Sequence, residues 1–178
     1  MADFALVHGS FHGAWCWERV TPLLAAAGHR VRTPDLDGGR KGAADVLSEL
    51  DGPAILVGHS SGGMLISALA RLAPESATAL VYLSGFLLAA GRTPHDLGGG
   101  RGSLFERALA VDRDAGTMTI RPEFAGELFY HDCPPAVAAG ATARLVPEVL
   151  RRGGSAPADR PDPDVPRLYI ECLDDRAL

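Results

Sequence analysis

Over the first 86 residues, short apolar runs alternate with segments whose apolar positions recur at three- and four-residue spacing. Phe4–Val7 is a compact apolar run that stops at His8-Gly9, the mark of a strand buried on both faces. Trp15–Ala27 carries helical spacing, with Gly28 just past its end as a C-cap. Arg30–Thr33 predicts a second strand stopped by Pro34, and Ala43–Leu50 a short helix broken at Asp51-Gly52-Pro53. Ala54–Val57 predicts a third strand, Met64–Ala73 a helix ended by Pro74, and Ala79–Leu83 a fourth strand. Strand and helix in this alternation need crossover connections, and right-handed crossovers place helices on both faces of a parallel sheet. The expected class is α/β, with a doubly wound, mostly parallel sheet.

The texture changes after residue 86. Gly98-Gly99-Gly100, a hairpin around Asp114-Ala115-Gly116, and helical patterns over Pro122–Tyr130 and Pro134–Leu145 follow one another. Arg151–Pro166, rich in Gly, Pro, Arg and Asp, reads as a mobile connector, and Arg167–Glu171 then resumes a strand pattern. The expected organisation is a core built from residues 1–86 and 161–178. Residues 87–160 are a small helical cap and connector inserted after the fourth strand, placed as a lid over a site.

Composition narrows the function. The 178 residues suit one domain, and 47% hydrophobic against 22% charged residues is the profile of a folded chain. A net charge of −5 with no basic stretch argues against a nucleic-acid surface. No apolar run approaches the ~20 residues of a bilayer span, and MADFALVHGS has neither a basic nor a long apolar leader. Cys16, Cys133 and Cys172 are scattered, with no CxxC pair and no even disulfide set, which points to buried thiols in the cytoplasm and to no metal site.

The chemistry concentrates in Gly58-His59-Ser60-Ser61-Gly62-Gly63, a G-x-S-x-G sequence between an apolar strand and a helix. That context is a nucleophile elbow, with Ser60 in a strained turn whose close approach requires glycine two positions to either side. The second element is the loop His8-Gly9-Ser10-Phe11-His12-Gly13-Ala14-Trp15 after the first strand. From it the backbone N–H of Ser10 can join that of Ser61 as an oxyanion hole. The Ser10 hydroxyl is not counted as a second nucleophile, and His8 is read as bracing the loop rather than moving protons.

HGSFHGAWCW, VGHSSGGM and FYHDCPPAVAAGATARLVPE together resemble the α/β-hydrolase fold family, in the branch of plant methylesterases, hydroxynitrile lyases and bacterial esterase relatives. The resemblance implies a Ser-His-Asp triad acting on a small-molecule ester, with no metal and no organic cofactor. It assigns Ser60 as nucleophile, Ser10 and Ser61 as oxyanion donors, and Asp175 as the acid, with Asp174 the adjacent rival. The end of the family's sixth strand, used for the acid in some hydrolases, carries Leu83-Ser84-Gly85 and no carboxylate.

The chain departs from this pattern in its base. All six histidines (His8, His12, His29, His59, His95 and His131) precede Asp175, which stands three residues before Leu178. The elbow is expected to point His59 away from Ser60. These features lead us to expect a hydrolase sequence that continues further, lacking here its last strand and helices. Arg167–Glu171 would then be an exposed apolar sheet edge, open to pairing between copies. Two other functions compete with ester hydrolysis: ligand binding in an impaired site, and hydroxynitrile lyase chemistry. The lyases carry Thr where this chain has Gly9, which favours the esterase side.

Overall fold

The computed structural model describes residues 1–88, 102–150 and 164–177. Gly98-Gly99-Gly100, His95 and most of Arg151–Pro166 lie outside these residues. The strands are β1 (Asp3–Val7), β2 (Arg30–Arg32), β3 (Ala54–His59), β4 (Ala77–Leu83), β5 (Leu109–Asp112), β6 (Thr117–Ile120), β7 (Glu148–Val149) and β8 (Arg167–Ile170). The helices are α1 (Thr21–Ala26), α2 (Ala43–Ser48), α3 (Gly62–Leu72), α4 (Leu104–Ala108), α5 (Pro122–Phe129) and α6 (Pro135–Thr142).

One sheet runs β2-β1-β3-β4-β8 with every neighbouring pair parallel, in registers such as Val7 opposite Gly58 and Tyr82 opposite Tyr169. Alternation along the central strands divides the interior. Ala5, Val7, Leu56, Leu80 and Tyr82 pack with Val46 of α2 and with Ile66, Leu69 and Ala70 of α3. Phe4, Leu6, Ile55, Val57 and Val81 face the other way, onto Trp17 and onto Leu24 of α1. Successive strand residues point to opposite faces, so both faces are covered by helical segments. The doubly wound parallel sheet expected from the sequence is therefore the one found.

The expected helix over 15–27 is two pieces, a 3₁₀ turn at Ala14–Trp17 followed by α1. Pro22 explains the break, because its ring and missing N–H cannot continue a helix from residue 18. Gly28, at φ +82°, ends α1 as expected.

Between β4 and β8, helices α4, α5 and α6 are accompanied by an antiparallel sheet β5-β6-β7, whose first hairpin turns at Gly116 (φ 66°). This segment has its own apolar cluster of Ala108, Ile120, Ala125 and Leu128, into which Phe11 projects from the loop after β1. At the opposite edge of the large sheet, Leu168, Tyr169 and Ile170 of β8 are 56%, 47% and 43% exposed.

Candidate active site

Ser60 stands between the end of β3 and the start of α3 with φ at 51°, a left-handed conformation that costs a non-glycine residue on the order of 1–3 kcal/mol. Three backbone hydrogen bonds hold it there. Its N–H donates to Leu83 O at 3.3 Å, and its carbonyl accepts from Gly63 N at 3.0 Å and Phe86 N at 2.9 Å. The flanking glycines are needed on contact grounds alone. A Cβ on Gly58 would lie 2.6 Å from the Gly62 carbonyl carbon, and one on Gly62 would lie 2.6 Å from Val7 O. Gly63 is closed in by Phe86 O at 2.8 Å in the same way. Among the described residues nothing hydrogen-bonds the Ser60 hydroxyl, and Ser60 lines a cavity of about 950 Å³ shared with Ser10, His12, Trp15, His59 and Asp175.

The loop after β1 is pinned against this elbow. A Cβ on Gly9 would come within 2.9 Å of Ser60 Cβ. Ser10 Oγ and Ser61 Oγ lie 2.9 Å apart, and among the described residues neither Ser10 N nor Ser61 N has an acceptor. Two amide donors thus flank the serine without being spent on the fold. Both loop histidines act as braces. His8 Nδ1 donates to Gly9 O at 2.8 Å while its Nε2 accepts from Leu36 N at 2.9 Å. His12 Nδ1 donates to Ser10 O at 2.9 Å, and its Nε2 accepts from the Tyr130 hydroxyl at 2.9 Å. His12 is thus braced at both ring nitrogens. Burial first, and then His8, pushes its pKa below the ordinary value, although the bond to Ser10 O opposes them.

Asp175 follows β8 and is half-buried, whereas Asp174 is exposed. Its Oδ2 accepts from Ser84 Oγ at 2.6 Å and its Oδ1 from Ala177 N at 2.7 Å. Ser84, at the end of β4, is buried, has φ at 39°, and donates its N–H to Ile170 O at 2.8 Å. Sequence reasoning noted the position only for lacking a carboxylate. Its use as a carboxylate holder had no local signal beyond its place at a strand end.

Among the described residues, the remaining histidines make no hydrogen bond to Ser60. His29 accepts from Ala2 N far along β1, and His131 is an exposed residue on the cavity wall. His59 is turned toward the loop after β1. Its ring stays on the wall of the cavity that holds Ser60, with Nδ1 facing Gly9 and its edge toward His12 at 6.3 Å between centroids. Burial above all, with a contribution from His12, lowers its pKa to about 4, against the opposing pull of Asp175. Among the described residues no histidine hydrogen-bonds the Ser60 hydroxyl. Cys16 also lines the cavity, but burial pushes its thiol up to about 12, which leaves it protonated at neutral pH. The described residues contain no group of three or more His, Cys, Asp or Glu side chains able to hold a metal ion, and no helix long and apolar enough to cross a membrane.

The model of a family described as the alpha/beta hydrolase family matches residues 4–178. A pyrethroid hydrolase of Sphingobium wenxiniae is 32% identical over 98% of this chain and 71% of its own length. A pheophorbidase of Raphanus sativus is 29% identical over 98% of this chain and 77% of its own. Among solved structures, a pyrethroid hydrolase from Sphingobium faniae superposes with a TM-score of 0.75 at 31% identity, covering 99% of this chain and 80% of that one.

Proposed function

Because the chain belongs to the alpha/beta hydrolase family, we propose that it is a carboxylic-ester hydrolase in which Ser60 is the nucleophile and Asp175 the acid. The observation that carries this reading is the left-handed Ser60, its hydroxyl unpartnered among the described residues, beside the amides of Ser10 and Ser61, for which the described residues offer no acceptor. Ser60 Oγ would attack the ester carbonyl and pass its proton to a general base, which returns it to the leaving alcohol, while the oxyanion rests on those amides. Collapse releases the alcohol and leaves an acyl-serine, which water then hydrolyses. Leu128 and Phe129 of the inserted segment line the cavity, which suits a small apolar acyl or alcohol group. Relatives bearing the names pyrethroid hydrolase and methylesterase are in keeping with an ester as substrate.

The proton transfer defines the test. With no described histidine on Ser60, the two amides and substrate binding supply only about 10³–10⁴-fold over water. Free imidazole added to the assay supplies the missing base. Above the rate that imidazole alone gives without protein, hydrolysis of a short-chain nitrophenyl ester should then rise in the native chain and not in Ser60→Ala. Equal response in both would remove Ser60 from the reaction.

One observation favours a second reading. The cavity of about 950 Å³ at Ser60 also suits a site that binds a small ligand without turning it over, and saturable binding with no acyl-serine would establish that instead.

A further inference from the structure

Glu148 reaches the loop after β1 from behind. Its Oε2 accepts from Phe11 N at 3.1 Å, and its Oε1 lies 3.3 Å from Ser10 Oγ. It does not line the cavity, although Ser10 does. The chain on either side of Glu148 is fastened as well. Val146 N donates to Phe11 O at 2.9 Å and Val149 N to Gly38 O at 2.9 Å. Gly39, at φ +79°, makes room for the carboxylate, since a Cβ there would stand 2.6 Å from Glu148 Oε1. Phe11 itself holds φ at 66°, with its ring buried in the cluster of the inserted segment. A strained residue is thus clamped at both its N–H and its C=O by one short stretch of chain.

The hydroxyls extend the clamp. Ser10 has a single hydroxyl proton, and two acceptors stand within reach of it. All three groups are satisfied when Ser61 donates to Ser10 and Ser10 donates to the carboxylate. That chain ties together the two residues whose amides flank Ser60.

We propose that Glu148 is a positioning residue for the oxyanion hole, setting the Ser10 amide through Phe11 N–H and the Ser10 hydroxyl. The inference rests on the reading of Ser10 as an oxyanion donor. Both oxygens of Glu148 are used, so reach matters more than charge. Glutamine keeps one acceptor and offers an N–H to Ser10 Oγ, whereas aspartate is one methylene short.

The test compares Glu148→Gln, Glu148→Asp and Glu148→Ala by two readouts. The first is amide hydrogen exchange over residues 9–13, with β3 as the internal reference. The second is the rate at which a fluorophosphonate modifies Ser60. Asp and Ala should speed exchange at Phe11 by about tenfold or more, leave β3 unchanged, and slow modification about 10- to 100-fold, the usual effect of a misplaced donor. Gln should stay within about threefold of the native chain in both. Unchanged exchange at Phe11 in the Asp variant, or equal losses in Gln and Asp, would overturn the proposal. If native Ser60 is never modified, the nucleophile reading fails, while exchange still decides whether Glu148 holds the loop.

Discussion

Ser84 Oγ donates a 2.6 Å hydrogen bond to Asp175 Oδ2, so the end of β4 fixes a carboxylate that follows β8. The two residues are 91 positions apart, yet their strands are parallel neighbours, which brings both C-terminal ends to one rim of the sheet. A hydrogen bond to a charged group contributes about 1.5–3 kcal/mol net. Ser84→Ala should therefore destabilise the chain by roughly 1–2 kcal/mol in urea unfolding. It should also lower the imidazole-stimulated ester hydrolysis, since Asp175 would lose one of the groups that orient it. An unchanged unfolding midpoint would show that this bond is not formed in solution.

The glycines of the elbow separate from those elsewhere. Gly58→Ala and Gly62→Ala each put a methyl 2.6 Å from backbone atoms that cannot yield, so neither variant should give a folded, soluble product. Gly140, inside α6, has nothing within 4 Å of the position of a Cβ. Gly140→Ala should stabilise the chain by about 0.5–1 kcal/mol through helix propensity. Thermal unfolding of the two sets decides between a tight turn and a tolerant one.

Strain at Ser60 makes its own prediction. Removing the side chain at φ 51° loses no hydrogen bond, since the hydroxyl has none among the described residues. Ser60→Gly should raise stability by about 0.5–1 kcal/mol while abolishing covalent modification. Lower stability in that variant would mean that the left-handed turn is not the native conformation.

His59 ties stability to pH. In the unfolded chain it titrates near its ordinary value of 6.5, and in the folded chain near about 4. Above 6.5 both states are neutral there and the group contributes nothing. As the pH falls from about 6.5 to about 4, the unfolded state gains a proton that the folded state refuses, so stability is lost across that window, by on the order of 2–3 kcal/mol. His12 shifts in the same direction. Urea unfolding between pH 7 and pH 4, compared with His59→Gln, measures the difference.

Much of this architecture was legible along the chain. Phe4–Val7, Ala54–Val57 and Ala79–Leu83 are apolar runs buried on both faces, and each falls within an observed strand. The turn at Ser60 was legible because glycine at 58 and 62 is forced by contact, whereas Asp175 was singled out only through the family resemblance and its place after the last strand pattern. The first helix was misread where Pro22 interrupts an otherwise continuous apolar spacing. Ser84 and Glu148 left no local trace. Each acts through one side chain across 91 or more positions, and neither periodicity nor turn chemistry encodes a contact of that range.

Mass mapping of the chain after exposure to a fluorophosphonate bears most directly on whether Ser60 is a nucleophile. A single adduct on the peptide holding Ser60, absent from Ser60→Ala and quickened by imidazole, is the predicted result. A folded chain that takes up no adduct at Ser60, or that carries it on another residue, would contradict it.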